Sequence, residues 1–502
     1  MNNPLLSLPF EPYLEELGDS YWDVVKAAEF PFTKLCFRND AVLKQLGLDS
    51  TSIQDIHFEE AFGTFKGRTP FLALRYHGYQ FGTYNPCLGD GRGFLYGQLR
   101  DRDGNLQDLG TKGSGTTPWS RGGDGRLTLK GGLREIIASE ALHRLGVKTS
   151  RTLSLIETGE SLWRGDEPSP TRSSVMVRVA HTHLRFGTCE RLLYLRQPKR
   201  LERLLRHIIT IYYPDIAISH PYQSGDSHSV LESQILAFYA SLIERVAKLA
   251  AEWMAAGFVH GVLNTDNMSI AGESFDYGPF AFIEELDPNF TAAYFDENGI
   301  YSFGRQPSIC KSNLRLLQEP LAMLLPKEAM NELLDRFGPI YASHYQFCMN
   351  RRIGLPPNLK YLDNPANSGD INNRDLLQKT LNLLGTWSIS YGSFFTGLTN
   401  QINTYGLPQE PEALSHMLFS DSAPPRTTWL EWRDSWWNHQ HLASVADPEE
   451  IRAIPKRLQR WNLSQTPIRS NIENIWTSIE QHNNWEPFQS WLKTICLHKM
   501  ND

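Results

Sequence analysis

Apolar positions along this chain fall into two periods, and each predicts a different element. From Gly132 to Leu145, Leu133, Ile136, Ile137, Leu142 and Leu145 recur at three- and four-residue intervals and the run stops at Gly146. That spacing predicts an amphipathic helix closed by a glycine just past its end. TLSLIET (152–158) and SVMVRVA (174–180) instead alternate and are rich in β-branched residues, which predicts two strands separated by a turn-rich segment from Gly159 to Pro170. Leu231 to Gly257 is long and apolar along one face. It predicts a helix that runs into the polar loop FVHGVLNTDNMSI, after which come FDYGP and a β-like FAFIEE at 280–285. Residues 82–132, dense in Gly, Asp, Arg and Thr, read as strands and glycine turns; residues 310–502, rich in Leu, Trp, Asn and Gln at helical spacing, read as a helical lobe. Within that lobe the run TWLEWRDSWWNHQ (428–440) reads as core rather than as a recognition surface. There is no internal repeat, so a solenoid is not expected.

Composition narrows the class. With 502 residues, 41% hydrophobic and 21% charged, the chain can bury a sizeable core and is neither disordered nor collagen-like. Lys plus Arg number 49 against 56 Asp plus Glu, a net charge of −7 that offers no general basic field for nucleic acid. The six cysteines are scattered without a C-x-x-C pair, which excludes a zinc ribbon or thioredoxin motif and argues against a disulfide framework. No signal-like start is seen, and the most apolar stretch, Leu242 to Val262, contains Glu244, Arg245, Lys248, Glu252 and His260. A buried helix in a cytoplasmic protein with no membrane partner is expected.

Four constellations carry candidate chemistry. In NPCLGDGRGFLYGQL (85–99), Gly89, Gly91 and Gly93 let backbone N–H groups approach phosphate oxygens; the alternative is a glycine-rich turn with Arg92 in solvent. In DLGTKGSGTTPWSRGGDGR (108–126), Lys112 heads a second glycine run closed by Asp124 and Gly125. A partly buried lysine needs an acidic partner, and Glu135 on the following helix is the candidate, unless it pairs along the surface with Lys130 or Arg134. Arg178 and Arg185, in RVAHTHLR, are placed at a strand end and loop to meet an anion, whereas the arginines from 191 to 206 read as a solvated helical face. Finally, HGVLNTDN (260–267) and FDYGP (275–279) put Asp266, Asn267 and Asp276 within eleven residues, the oxygen donors that Mg²⁺ accepts beside water and phosphate. The alternative there is a polar turn in which Asn264 and Asp266 cap local N–H groups.

Taken in order, these parts repeat the series in a protein-kinase phosphoryl-transfer site: glycine turn, lysine, helix glutamate, a loop with Asp and Asn, then a metal-binding Asp. One part differs. Val262 stands where the kinase loop has its catalytic Asp, and the only acid in the loop is Asp266, next to Asn267. A hydroxyl activated there meets a differently placed phosphate, which makes chemistry at the α-phosphate plausible.

At these residues the chain resembles a known family. YHGYQFGTYNPCLGDGRG, LGTKGSGTTPWSRGGDGR, LREIIASEALHRLGVKTSRTLSLI, RVAHTHLRFGTCE and FVHGVLNTDNMSIAGESFDYGPFAFIEELDP are similar to the selenoprotein O family of protein adenylyltransferases, over roughly residues 20–310. The resemblance implies an α+β, protein-kinase-like two-lobed fold with an enlarged helical C-terminal lobe. It also implies transfer of AMP from ATP, bound in a flipped orientation, to Ser, Thr or Tyr hydroxyls of target proteins. Gly89, Gly91, Arg92, Asp124 and Gly125 would contact the nucleotide; Lys112, paired with Glu135, would bind phosphate; Arg178 and Arg185 would hold the outer phosphates. Asp266 would accept the proton, Asn267 and Asp276 would bind Mg²⁺ or Mn²⁺, and Asp276 would also lie against ATP. The family's Tyr in its second glycine turn is Trp119 here, and the selenocysteine or cysteine motif near many members' ends is reduced to Cys496, read as a free thiol. The expected organisation is an N-terminal extension packed on the lobes (1–80), a nucleotide-binding lobe (81–230) and a helical lobe (231–502) carrying the catalytic and metal loop 258–290. Two rivals are a γ-phosphate-transferring kinase, which Val262 disfavours, and an inert nucleotide-binding pseudokinase, which the complete set Asp266, Asn267 and Asp276 disfavours.

Overall fold

Alternating runs in the first 180 residues build one antiparallel sheet in the computed structural model, which describes residues 3–165, 167–219, 228–356, 371–416, 425–446 and 448–496. In chain order the strands are β1 (Trp22–Val25), β2 (Lys34–Arg38), β3 (Phe71–Leu74), β4 (Gly78–Gln80), β5 (Thr83–Asn85), β6 (Leu95–Arg100), β7 (Leu106–Lys112), β8 (Leu127–Thr128), β9 (Arg151–Leu162) and β10 (Thr171–Ala180). The sheet runs β1-β3-β6-β7-β10-β9-β2, with β8 also on β10, while β4 and β5 pair as a separate hairpin. The protein is thus of α+β class, with strands concentrated before residue 180 and helices after it. Residues 1–80, expected as an extension packed on the lobes, supply three of the eight strands.

The side-chain alternation of β10 divides the core. Val175, Val177 and Val179 join Leu109, Phe71, Phe94 and Tyr96 in a cluster covered by Phe58, Phe62 and Phe65 from the N-terminal segment. Met176 faces the other way and joins Leu127 and Leu155 against the helix Leu129–Arg144. Cross-strand pairing places Lys112 of β7 opposite Met176 and Gly110 opposite Arg178. Since paired residues share a face, the face that receives the helix also carries Lys112 and Arg178.

The helix read from Gly132 starts three residues earlier, because the Thr128 hydroxyl accepts the Gly131 N–H at 3.0 Å and caps it. It ends at Arg144 as the glycine signal predicts, with Gly146 at φ +86°. The two alternating runs do pair, but β9 continues to Leu162, so the turn segment is shorter than Gly159–Pro170. The predicted long helix spans His228–Ala256 and is followed by β11 (Phe258–Val259). The β-like run at 280–285 shrinks to β12 (Ala281–Phe282), since only Phe258↔Phe282 and Val259↔Ala281 pair before Glu284 and Glu285 reach solvent. This short pair brings the loops 260–267 and 275–280 side by side.

Beyond residue 306 the described chain is helical. Trp429, Trp432 and Trp436 are buried there and stack in series at ring separations of 5.5 and 5.9 Å, so the tryptophan run is core as its spacing suggested. Trp436 also donates its indole N–H to the Ile353 carbonyl at 2.8 Å. Among the described residues no helix is long and apolar enough to cross a membrane. Cys36, Cys87, Cys189, Cys310 and Cys348 are free thiols, and the side chain of Cys496 lies outside the described residues. Truncation of Trp436 to Ala removes packing and one of the two donors to that carbonyl, the other being the Gln440 amide at 3.0 Å. We expect it to lower unfolding free energy by about 3–5 kcal/mol, measured as a reduced urea midpoint at unchanged slope.

Candidate active site

The two glycine turns dock on each other before they meet any ligand. A Cβ on Gly89 would lie 2.3 Å from the Trp119 ring, and one on Gly91 would lie 2.8 Å from the Trp119 carbonyl. Thr117 and Ser120 donate their hydroxyls to the Asp90 and Gly91 carbonyls at 2.6 and 2.5 Å. Trp119 is fixed in turn by its indole N–H on Asp23 of β1, at 2.9 Å. Gly125, at φ +69°, is pressed against the Gly115 carbonyl, where a side chain would be 2.2 Å away. The glycines therefore serve loop-to-loop contact as well as an open backbone. Together the turns wall a cavity of about 600 Å³.

Every site residue expected from the sequence except Glu135 lines that cavity: Gly89, Gly91, Arg92, Lys112, Asp124, Gly125, Arg178, Arg185, Asp266, Asn267 and Asp276. Glu135 lies behind it, buried, and accepts a salt bridge from Lys112. The surface alternatives for Glu135 are not realised: Lys130 pairs with Glu473, and Arg134 donates to the Gly278 and Phe280 carbonyls. Arg92 is exposed at the cavity wall, and Asp124, also exposed, pairs with Arg164.

Three cations converge on Asp276. Arg178 donates to Oδ1, Lys112 Nζ lies 3.4 Å from the same oxygen, and Arg185 donates to Oδ2 at 2.6 Å. Burial alone would raise the Asp276 carboxyl, but Arg178, Arg185 and Lys112 outweigh it and hold it well below the ordinary carboxylate range. Asp276 has φ +60°, a left-handed conformation that Asp tolerates better than most residues. Phe275 is turned so that its ring lies 4.7 Å from the Arg185 guanidinium and 5.6 Å from that of Arg178. Arg185 Nε is buried with no acceptor, an unused donor beside the cavity. Such a cluster fits a polyanion such as a phosphate chain.

Asp266 has none of the salt bridges that surround Asp276. Its Oδ1 is buried without a hydrogen-bond partner, and Oδ2 has only the Gln80 amide, at 3.5 Å. Burial pushes its carboxyl up to about 6, with Arg185 opposing. Its backbone carbonyl accepts from Arg185 at 2.7 Å, which ties the loop to the cation cluster on Asp276. Neither polar-turn alternative holds: Asn264 accepts from the distant Phe81 N–H and the Tyr301 hydroxyl, and Asp266 faces the cavity. Asn267 donates its amide N–H to the Val262 carbonyl at 2.9 Å, leaving Oδ1 as the side chain's acceptor. The Asn267 amide oxygen, the Asp276 carboxylate and the orphaned Asp266 oxygen line one cavity, oxygen donors of the kind a hard divalent cation takes.

Several contributors escape sequence reasoning. Asp90, between two of the glycines, is raised by burial, lies 3.5 Å from Arg185 and accepts the Leu74 N–H at 3.0 Å. His183 accepts from Arg178 Nε at 3.2 Å and approaches Asp108, which also takes the His183 N–H at 2.7 Å. Gly78 packs so tightly on Asp266 that a Cβ would lie 2.8 Å from Oδ1. Nothing local marks these residues; only Asp90, inside the glycine run, carried a usable signal.

A raised carboxyl destabilises the fold once ionised. The Asp266 contribution is neutral below the unfolded value near 4 and turns unfavourable as pH rises from there through about 6. Asp266→Asn is therefore expected to raise unfolding free energy at pH 8 by up to about 3 kcal/mol and to give no such gain at pH 3.5, measured by urea unfolding at both pH values.

Comparison with known proteins gives the family. A family model described as protein adenylyltransferase SelO matches residues 4–496. The chain is 49% identical over 495 residues to a protein of Trichodesmium erythraeum, covering 99% of this chain and all of the relative. It is 49% identical over 501 residues to one from Synechocystis, covering 99% of each, and 50% identical over 488 residues to one from Gloeobacter violaceus, covering 97% of this chain and 95% of the relative. All three are named protein nucleotidyltransferase YdiU. The matched region runs through every side chain that lines the cavity, and the chain belongs to the SelO family of protein adenylyltransferases.

Proposed function

We propose that the protein transfers AMP from ATP to Ser, Thr or Tyr hydroxyls of target proteins. The observation that carries this reading is Asp266: an orphaned, desolvated carboxylate on the cavity wall, separated in role from the cation-saturated Asp276. Two carboxyls whose environments push them apart, one held ionised and one near 6, suit a binding group and a proton acceptor. Val262 lines the cavity where a kinase would have its base and offers only its carbonyl, which Asn267 occupies. In this reading the sheet and the Glu135 helix form the nucleotide-binding lobe of a protein-kinase-like fold, and the helices after residue 231 form the larger lobe.

The attacking hydroxyl oxygen bonds to the α-phosphorus of ATP, the bond from that phosphorus to the bridging oxygen breaks, and pyrophosphate departs. The hydroxyl proton passes to Asp266. Lys112, held by Glu135, and Arg178 and Arg185 supply fixed positive charge to the departing phosphates, without reorganisation during the reaction. Asn267 and Asp276 would hold Mg²⁺ or Mn²⁺, which would supply further charge neutralisation to the phosphate chain. Gly89, Gly91, Arg92, Asp124 and Gly125 would line the nucleotide from the two turns.

Incubation with Mg²⁺ and ATP labelled at either the α or the γ position tests the reading. Label entering protein from the α position alone is expected; label from γ alone would mean a kinase, and no label from either would mean an inert nucleotide binder. Asp266→Ala should reduce kcat by about 10²- to 10⁴-fold while ATP binding by calorimetry is retained. Since Asp266 accepts a proton only when ionised, the wild-type rate should rise with pH through about 6, and that limb should be absent from the residual activity of Asp266→Ala.

A further inference from the structure

The helix Phe186–Tyr194 touches the Asp266 loop at two points. At its start, Arg185 donates to the Asp266 carbonyl at 2.7 Å, and the Phe186 N–H donates to the Met268 carbonyl at 3.0 Å. One and a half turns later comes Glu190, an acid the chemistry above does not use. Its side chain is 2% exposed; Oε2 accepts the Thr265 hydroxyl at 2.7 Å, and Oε1 is buried with no partner. A carboxyl left half-satisfied in the interior is unfavourable, so this contact is not explained by local stability.

Thr265 is the hub of that contact. Its oxygen also accepts the Tyr79 N–H at 2.8 Å, from the hairpin β4–β5. The next hairpin residues reach the flanking loop positions: Gln80 lies 3.5 Å from Asp266 Oδ2, and the Phe81 N–H donates to Asn264 at 3.3 Å. One residue earlier, Gly78 bounds Asp266 sterically, with room for no side chain. The hydroxyl of Thr265 can donate only once, and Glu190 fixes where it points. With the donor directed at Glu190, the oxygen lone pairs are left for Tyr79, and the hairpin is set down on Asp266 in one register.

We propose that Glu190 is a positioning residue that acts through Thr265 to hold the Asp266 loop against the β4–β5 hairpin. Its catalytic consequence rests on the reading of Asp266 as the proton acceptor; its structural consequence does not. Burial pushes the Glu190 carboxyl up to about 8, so near neutral pH it is mostly the uncharged acid, for which Gln is a close substitute.

Four variants of the full-length protein test this: Glu190→Gln, Glu190→Ala, Thr265→Val and the double variant Glu190→Ala with Thr265→Val. Two measurements are made on each, hydrogen exchange of the peptide covering residues 262–268, and kcat and ATP affinity in the α-label assay. Thr265→Val and Glu190→Ala are expected to speed exchange in that peptide and to lower kcat by about ten- to a hundredfold with ATP affinity unchanged. Glu190→Gln should stay within about twofold of wild type in both, and the double variant should be no worse than either single one. Should Glu190→Ala not fold, the near-isosteric Thr265→Val reads the same contact from the other side. Wild-type exchange in Thr265→Val, additive losses in the double variant, or a Glu190→Gln defect equal to that of Glu190→Ala would each overturn the proposal. A wild type that transfers no AMP while exchange responds as stated would uphold the anchoring and refute the proposed transfer, so the two failures are separable.

Discussion

The site depends on one carboxylate shared by three cations. Asp276 takes Arg178 from β10, Lys112 from β7 and Arg185 from the start of the next helix, so a single side chain holds the sheet, the helix and the acidic turn in register. Glu135 engages Lys112 from behind and limits where its ammonium can go. Buried ion clusters are not good stabilisers in themselves, because desolvation offsets much of the attraction. What they provide is geometry, and here that is a set of charged groups already aimed into a cavity.

Against that cluster stands a carboxylate treated in the opposite way. Asp266 sits one residue from Asn267 and ten from Asp276, yet it is given no salt bridge and almost no hydrogen bonds. Arg185 connects the two environments, since its guanidinium holds the Asp276 carboxylate and the Asp266 backbone carbonyl but not the Asp266 side chain. The Asp266 loop is thereby fixed by its main chain, and its carboxylate is left unsatisfied. Separation of this kind is how one protein keeps one acid ionised for binding and another poised for proton transfer.

Hydrophobic spacing and glycine punctuation made much of this legible. The Glu135 helix, the two alternating strands, the long helix ahead of HGVLNTDN and the tryptophan core all follow from local periodicity, which burial on one face imposes directly. Where the structure departs from local periodicity, longer-range contacts are the cause. Thr128 extends its helix by a side-chain cap, the run at 280–285 pairs for only two residues because its partner is itself two residues long, and the first eighty residues enter the sheet through pairings that no local pattern announces.

By itself the sequence determined the identity of the charged groups and the elements that bear them, since residue type and period are local properties. Tertiary structure alone decided their pairing and the solvent each retains. Lys112 and Asp276 are 164 residues apart, Glu190 and Thr265 are 75 apart, and Gln80 and Asp266 are 186 apart. Desolvation and Coulomb attraction depend on distance through space, and only the folded packing of sheet, helix and hairpin fixes those distances.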